Sequence, residues 1–193
     1  MYTRVVHRKY QNRKFSFYII IILCFTFILP YIFYHYKHYF FNRSDFNSII
    51  NDAARRHNIN PALLKAVIWQ ESRFKANIVG THQEIGLMQI RPDYGAVTDW
   101  EQHFKTKIPC RGILFFPELN IEIGAWYLGR ALRRWSSYKA HFELALSEYN
   151  AGLKGMKSWI PENHDADIIE NITIPSTKEY VSGIMNKFYE YSQ

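Results

Sequence analysis

Residues 60–72 read Asn-Pro-Ala-Leu-Leu-Lys-Ala-Val-Ile-Trp-Gln-Glu-Ser. Asn60 has the short acceptor side chain that caps a helix, and Pro61 suits the first helical position, where its missing N–H is not needed. Together they predict a helix over 61–72. On it Leu64, Val67, Ile68 and Glu71 fall at i, i+3, i+4 and i+7, one stripe of a 3.6-residue period. Glu71 therefore stands on the apolar stripe, close to the helix C-terminus. Burial and the negative end of the helix dipole both disfavour its charged form. A carboxyl group kept protonated near neutral pH is what general acid catalysis requires. A helical glutamate paired with Arg73 or Lys75 would lack that property, and position alone leaves both readings open.

Outward from this segment the chain reads as helical. Ser44 is a candidate N-cap for a helix over 45–57, with Phe46, Ile49, Ile50 and Ala53 on one face. Residues 75–84 read as a loop, and 86–90 as a short apolar run stopped by Pro92. The stretch 94–117 is mixed and shows no clear period. Residues 118–135 form an amphipathic pattern. Another follows over 141–150, ending at Gly152, and a last over 176–191 after a loop at 163–171. No apolar–polar alternation extends beyond four residues. The fold class expected is all-α, or α+β with at most minor strands.

The charge of the chain is divided. It carries 24 Lys+Arg against 17 Asp+Glu, yet residues 1–44 hold seven basic side chains and no acid, so residues 45–193 are balanced at 17 and 17. A neutral globular part has no basic face for nucleic acid. Residues 15–34 contain no charge and no histidine. As a helix these 20 residues span roughly 30 Å, the thickness of the hydrocarbon core. Tyr31, Tyr34, Tyr36 and Tyr39 resemble an interfacial belt, and the basic flank before the run predicts a cytoplasmic N-terminus. A cleaved signal peptide would have a shorter apolar core and a small-residue cleavage site. The expected organisation is a cytoplasmic tail (1–14), a transmembrane anchor (15–36), a juxtamembrane linker (37–44) and an outer domain (45–193), placed in the periplasm of a bacterial inner membrane. Cys24 and Cys110 would lie on different sides of this division and form no disulfide framework. Cys110 reads as a small buried apolar side chain.

Several short motifs carry a family resemblance. Glu71-Ser72 is followed by Gly86-Leu87-Met88-Gln89 and then by Glu148-Tyr149-Asn150-Ala151-Gly152. Between them, residues 117–128 read Pro-Glu-Leu-Asn-Ile-Glu-Ile-Gly-Ala-Trp-Tyr-Leu, and Ile174-Pro175 precedes Tyr180-Val181. In this order and spacing, the sequence over 59–185 resembles the lytic transglycosylase (SLT) family, whose domain is lysozyme-like, of the goose type. The resemblance implies that Glu71 is the single catalytic acid/base. It implies that Gln89, Tyr149, Asn150 and Tyr180 line or approach the glycan site, and that Met88 belongs to the core. Gly86 and Gly152 would serve close approach or a positive φ.

Two positions depart from the family pattern. A serine is common nine residues after the catalytic glutamate; this chain has Gly80, with Thr81 beside it as a candidate substitute. A glutamate is common where Ser176 stands.

The resemblance further implies cleavage of the MurNAc–GlcNAc β-1,4 bond of peptidoglycan glycan strands. Glycosidases of the usual kind need two carboxyl groups. In this family the substrate's 2-acetamido group replaces the second, the C6 hydroxyl closes onto C1, and a 1,6-anhydro end results. A hydrolytic lysozyme-like enzyme using Glu84 or Asp93 to activate water is one alternative. A non-catalytic glycan-binding or assembly factor of an envelope-spanning secretion or conjugation apparatus is another. No zinc-ligand spacing, phosphate loop or Gly-x-Ser-x-Gly elbow appears, so neither metal nor cofactor is expected.

Overall fold

The computed structural model describes residues 24–32 and 46–193, and the chain divides into two compact units, Met1–Ser44 and Asp45–Gln193. In the first unit the described residues are helical, opening with a π-helical stretch at Cys24–Ile28. Phe25, Phe27, Leu29, Tyr31 and Ile32 are exposed on it. Among the described residues no helix is long and apolar enough to cross a membrane. Most of the expected span over 15–36, with the basic tail before it, lies outside them.

In the second unit six α-helices surround one core: α1 (Asn47–His57), α2 (Pro61–Ser72), α3 (Ala96–Phe104), α4 (Pro117–Arg134), α5 (His141–Gly155) and α6 (Pro175–Tyr191). The expected cap Ser44 lies outside the described residues, and α1 begins at Asn47. Its last turn holds Arg55, Arg56 and His57, which suit the negative end of the dipole. α2 has the predicted bounds, and Asn60 Oδ1 accepts from the Ala62 N–H at 2.9 Å. Its burial is wider than one stripe, because Leu63 and Ala66 are as fully enclosed as Leu64, Val67 and Ile68. A helix apolar over most of its circumference belongs in a core. It packs on α6 and α1, while α4 packs on α1, α3 and α5.

The mixed stretch 94–117 holds a helix that periodicity did not reveal. α3 starts after Gly95 with no side-chain cap. Its outer end is fixed by rings: Trp100 meets Trp126 edge-on at 5.5 Å, and Phe104 lies 5.9 Å from the same indole. A 3₁₀ turn, Arg111–Phe115, follows. Cys110 precedes it and is exposed, contrary to the buried placement read from sequence. An extended backbone at Cys110 (φ −161°, ψ 156°) carries the chain over the surface into that turn.

Strand structure among the described residues amounts to two isolated antiparallel bridges, Val79–Ile85 and Ile85–Ile90. They fold residues 79–90 into a tight loop whose apolar members Ile85, Leu87, Met88 and Ile90 point into the core. The helix expected to end at Gly152 is broken there and resumes to Gly155: Gly152 adopts φ 72°, ψ 157°, the expected positive φ, which costs glycine little.

Candidate active site

Glu71 lies in the last turn of α2 and opens onto a cavity of about 600 Å³. The chain turns sharply away just beyond it, with Arg73 and Phe74 both at positive φ. Arg73 does not pair with Glu71. Its guanidinium donates to the Trp69 carbonyl at 2.8 Å and lies over the Trp69 ring. Glu71 instead accepts a 2.5 Å hydrogen bond from the Tyr180 hydroxyl of α6, 109 residues away in sequence. Burial pushes its carboxyl group up to about 7. The Tyr180 hydrogen bond works against that rise, and the negative charge of Glu84 adds to it. The phenols of Tyr180 and Tyr149 are themselves pushed well above the usual range, first by burial and then by Glu71, so both remain protonated donors.

Opposite α2 stands the 86–90 loop. Tyr149, from α5, donates to the Met88 carbonyl at 3.1 Å and so ties α5 to this loop. Gln89 lines the cavity at φ 47°, and its Nε2 donates to the Gly86 carbonyl at 2.8 Å. Asn150 and Thr81 line the cavity too. Asn150 Oδ1 accepts from the Thr177 hydroxyl at 2.8 Å, and Thr81 Oγ1 lies 3.2 Å from His82 Nδ1. The predicted residues Glu71, Gln89, Tyr149, Asn150 and Thr81 thus share one cavity, and Tyr180 reaches it through Glu71. Leu87 and Met88 are fully buried beneath it. Of the two alternative carboxylates, Glu84 lines the cavity and Asp93 is not among its walls.

Sequence reading missed the residue that shapes the loop. Asn120 of α4 is 1 % exposed; its Oδ1 accepts from the Met88 N–H at 2.8 Å, and its Nδ2 donates to the carbonyls of Ile85 at 2.8 Å and Leu114 at 2.7 Å. This one side chain thus pairs the Met88 N–H of the loop and the Leu114 carbonyl of the 3₁₀ turn, and adds a second donor to the Ile85 carbonyl, which also accepts from the Ile90 N–H at 3.0 Å. Gly86, at φ 76°, allows the contact: a Cβ there would stand 2.6 Å from Asn120 Nδ2. The sequence signal was an asparagine on the buried face of α4, one turn before Gly124. Tyr127, which the sequence placed on that helix within the family-like segment 117–128 but gave no site role, lines the cavity and meets Tyr149 edge-on at 5.7 Å. Glu148 is the contrasting carboxylate. It is 2 % exposed but accepts from Trp135 Nε1 at 2.8 Å and lies 3.2 Å from Arg134 Nε. Among the described residues, no group of three or more His, Cys, Asp or Glu is placed to hold a metal ion.

This arrangement can hold a proton on one carboxyl group near neutral pH and present it to a ligand in an open groove. Fold and site together define a helical, lysozyme-like domain with an acid at the end of a buried helix. The chain belongs to the transglycosylase SLT domain family, whose model matches residues 48–172. It is 33% identical over 111 residues to the X polypeptide of Escherichia coli, covering 53% of this chain and 57% of that protein. It is 27% identical over 110 residues to membrane-bound lytic murein transglycosylase E of Buchnera aphidicola, covering 53% and 50%. The chain therefore spans about half the length of these curated relatives. Among solved structures it resembles an inactive glutamate-to-glutamine mutant of the lytic transglycosylase Slt from Pseudomonas aeruginosa. The TM-score is 0.68 at 23% identity, with 79% of this chain and 24% of that one covered, a likeness of fold.

Proposed function

We propose that this protein is a membrane-anchored peptidoglycan lytic transglycosylase that cleaves the MurNAc–GlcNAc β-1,4 bond with Glu71 as its single acid/base. The observation that carries the reading is the state of Glu71: a carboxyl group raised to about 7, hydrogen-bonded to Tyr180 and open to a cavity. At neutral pH a substantial fraction is protonated and able to donate. Glu71 gives its proton to the glycosidic oxygen as the C1–O4 bond breaks, with the 2-acetamido group assisting at C1. The resulting carboxylate then takes the C6 hydroxyl proton as O6 bonds to C1, which regenerates the acid and leaves a 1,6-anhydro end. No water is consumed. The intramolecular attack draws on an effective concentration that reaches ~10⁵–10⁸ M in well-oriented cases. Gln89, Thr81 and Asn150 supply polar contacts to the strand, and Tyr149 and Tyr180 hold the acid's surroundings in place.

The relative named membrane-bound lytic murein transglycosylase E supports both the activity and an envelope location. The charge-free run over 15–34 and its basic flank support an inner-membrane anchor with the domain over 45–193 in the periplasm. An envelope-spanning secretion or conjugation apparatus is the setting in which such an anchored enzyme would open the wall locally.

Mass spectrometry of sacculi digested with the full chain tests the reaction. The anhydro product is lighter than the hydrolytic one by one water. A second reading, hydrolysis, is favoured by one observation: Glu84 lines the same cavity as Glu71. Reducing-end muramic acid as the main product would select it.

A further inference from the structure

Residues 80–84 form a closed turn, in which the Gly80 N–H donates to the Glu84 carbonyl at 2.8 Å and the Gln83 N–H to the Gly80 carbonyl at 3.2 Å. At its end the Glu84 side chain folds back over the turn. Its Oε2 accepts from the His82 N–H at 2.9 Å, and its Oε1 lies 3.4 Å from His82 Nδ1. The side chain is 20% exposed and lines the cavity with Glu71. Gly80 makes this possible by leaving space. A Cβ at position 80 would stand 2.5 Å from Glu84 Oε2 and 2.7 Å from Gln89 Oε1. The missing side chain at 80 and the inward carboxylate at 84 are thus one feature: an anion occupies the room that any larger residue at 80 would claim.

We propose that Glu84 is a positioning residue for the acid: its fixed negative charge, seated over Gly80, acts on Glu71 across the cavity and makes no bond to the reacting atoms. The inference rests on the reading of Glu71 as the glycan-cleaving acid. Like charges in a shared, partly enclosed space oppose each other's ionisation, and the effect is stronger there than in bulk water. The groups that face Glu71 or line its cavity are Tyr180 from α6, Tyr149 from α5, Tyr127 from α4, and Glu84, His82, Arg91 and Tyr94 from the loops. Tyr180 donates to the charged carboxylate and favours it. Glu84 opposes Tyr180 and favours the protonated acid. Without Glu84, that opposition would fall to burial alone.

The test is the pH profile of kcat/KM for the full chain on purified glycan strands. Glu84→Gln keeps the shape and removes the charge. Its alkaline limb is expected to move to lower pH, so that the loss relative to wild type grows with pH and reaches roughly threefold or more at about pH 8. Glu84→Asp retains the charge and is expected to recover most of the shift. Gly80→Ala forces the carboxylate out and is expected to reproduce the Glu84→Gln limb, with no further shift in the double variant. Thermal unfolding of each variant separates misfolding from the pH effect. An unmoved limb in folded Glu84→Gln overturns the proposal. So does a pH-independent loss accompanied by reducing-end products in the wild type, which would make Glu84 the base of a hydrolytic step. Activity retained by Glu71→Gln would instead overturn the underlying reading of the acid.

Discussion

Glu71 combines burial, which favours its neutral form, with a hydrogen bond from Tyr180, which favours its charged form. The balance lies at about 7, so the acid form is lost as pH rises through that value. Glu71→Gln is expected to abolish cleavage of sacculi, by at least the ~10²–10⁴-fold that general acid–base catalysis supplies, with far-UV circular dichroism unchanged. The same substitution should stabilise the fold at alkaline pH. A carboxyl group raised from 4.5 to about 7 contributes stability that is complete below about 4.5 and lost as pH rises to about 7, at most ~3 kcal/mol. The amide has no such dependence. Thermal melts should therefore show Glu71→Gln gaining on wild type from acid to alkaline pH; parallel melting curves would contradict the buried-acid picture. Tyr180→Phe acts in the opposite direction on the rate profile. It removes the donor to the charged form, so the alkaline limb of kcat/KM is expected to move to higher pH. A limb that stays in place would show that the 2.5 Å hydrogen bond has little hold on the acid. The stripe Leu64, Val67, Ile68 and Glu71 made the acid's burial legible in the sequence. The Tyr180 contact was not legible from spacing, because it joins residues 109 apart, and only the family resemblance pointed to it.

At the scale of elements, what the sequence disclosed depended on how the backbone groups of each segment are satisfied. α2 was legible because its start is signalled by side-chain chemistry, Asn60 and Pro61, and its burial by a continuous apolar pattern. α3 was not, since Gly95 gives no capping hydrogen bond and the helix is held by aromatic contacts to Trp126 that no local pattern encodes. The 86–90 loop is the same case in sharper form. Beyond its two bridges, its fold depends on Asn120 of α4, whose side chain ties the Met88 N–H and the Ile85 carbonyl to the Leu114 carbonyl of the 3₁₀ turn. Asn120→Leu is expected to destabilise the domain by about 2–4 kcal/mol, because the Met88 N–H and the Leu114 carbonyl lose their partner while the Ile85 carbonyl keeps only the Ile90 N–H. Urea unfolding measures this. The substitution should also lower activity by displacing Gln89, even under conditions where the protein stays folded. A loss below ~1 kcal/mol would show that the loop is held by its apolar side chains instead.

For the whole molecule, the informative quantity is where the charge lies. A pI of about 9.3 for 193 residues suggests a basic protein, yet the excess is confined to residues 1–44 and the remaining 149 residues are neutral. In the proposed topology, Lys and Arg placed before an uncharged run of membrane-spanning length would hold that end in the cytoplasm, each a costly charge to move across the hydrocarbon. A glycan-cleaving domain is useful only on the side of the membrane where the wall is. The charge rule and the proposed chemistry thus demand the same orientation independently. Protease added to intact spheroplasts expressing the full chain is expected to release or degrade the domain over 45–193 while a tag at the N-terminus stays protected. Replacing Arg4, Arg8, Lys9, Arg13 and Lys14 by Gln should weaken that orientation and leave part of the population with a protected domain. A protected domain in the wild-type chain would refute the topology, and with it the proposal that this enzyme reaches peptidoglycan from a membrane anchor, while leaving the acid at Glu71 untouched.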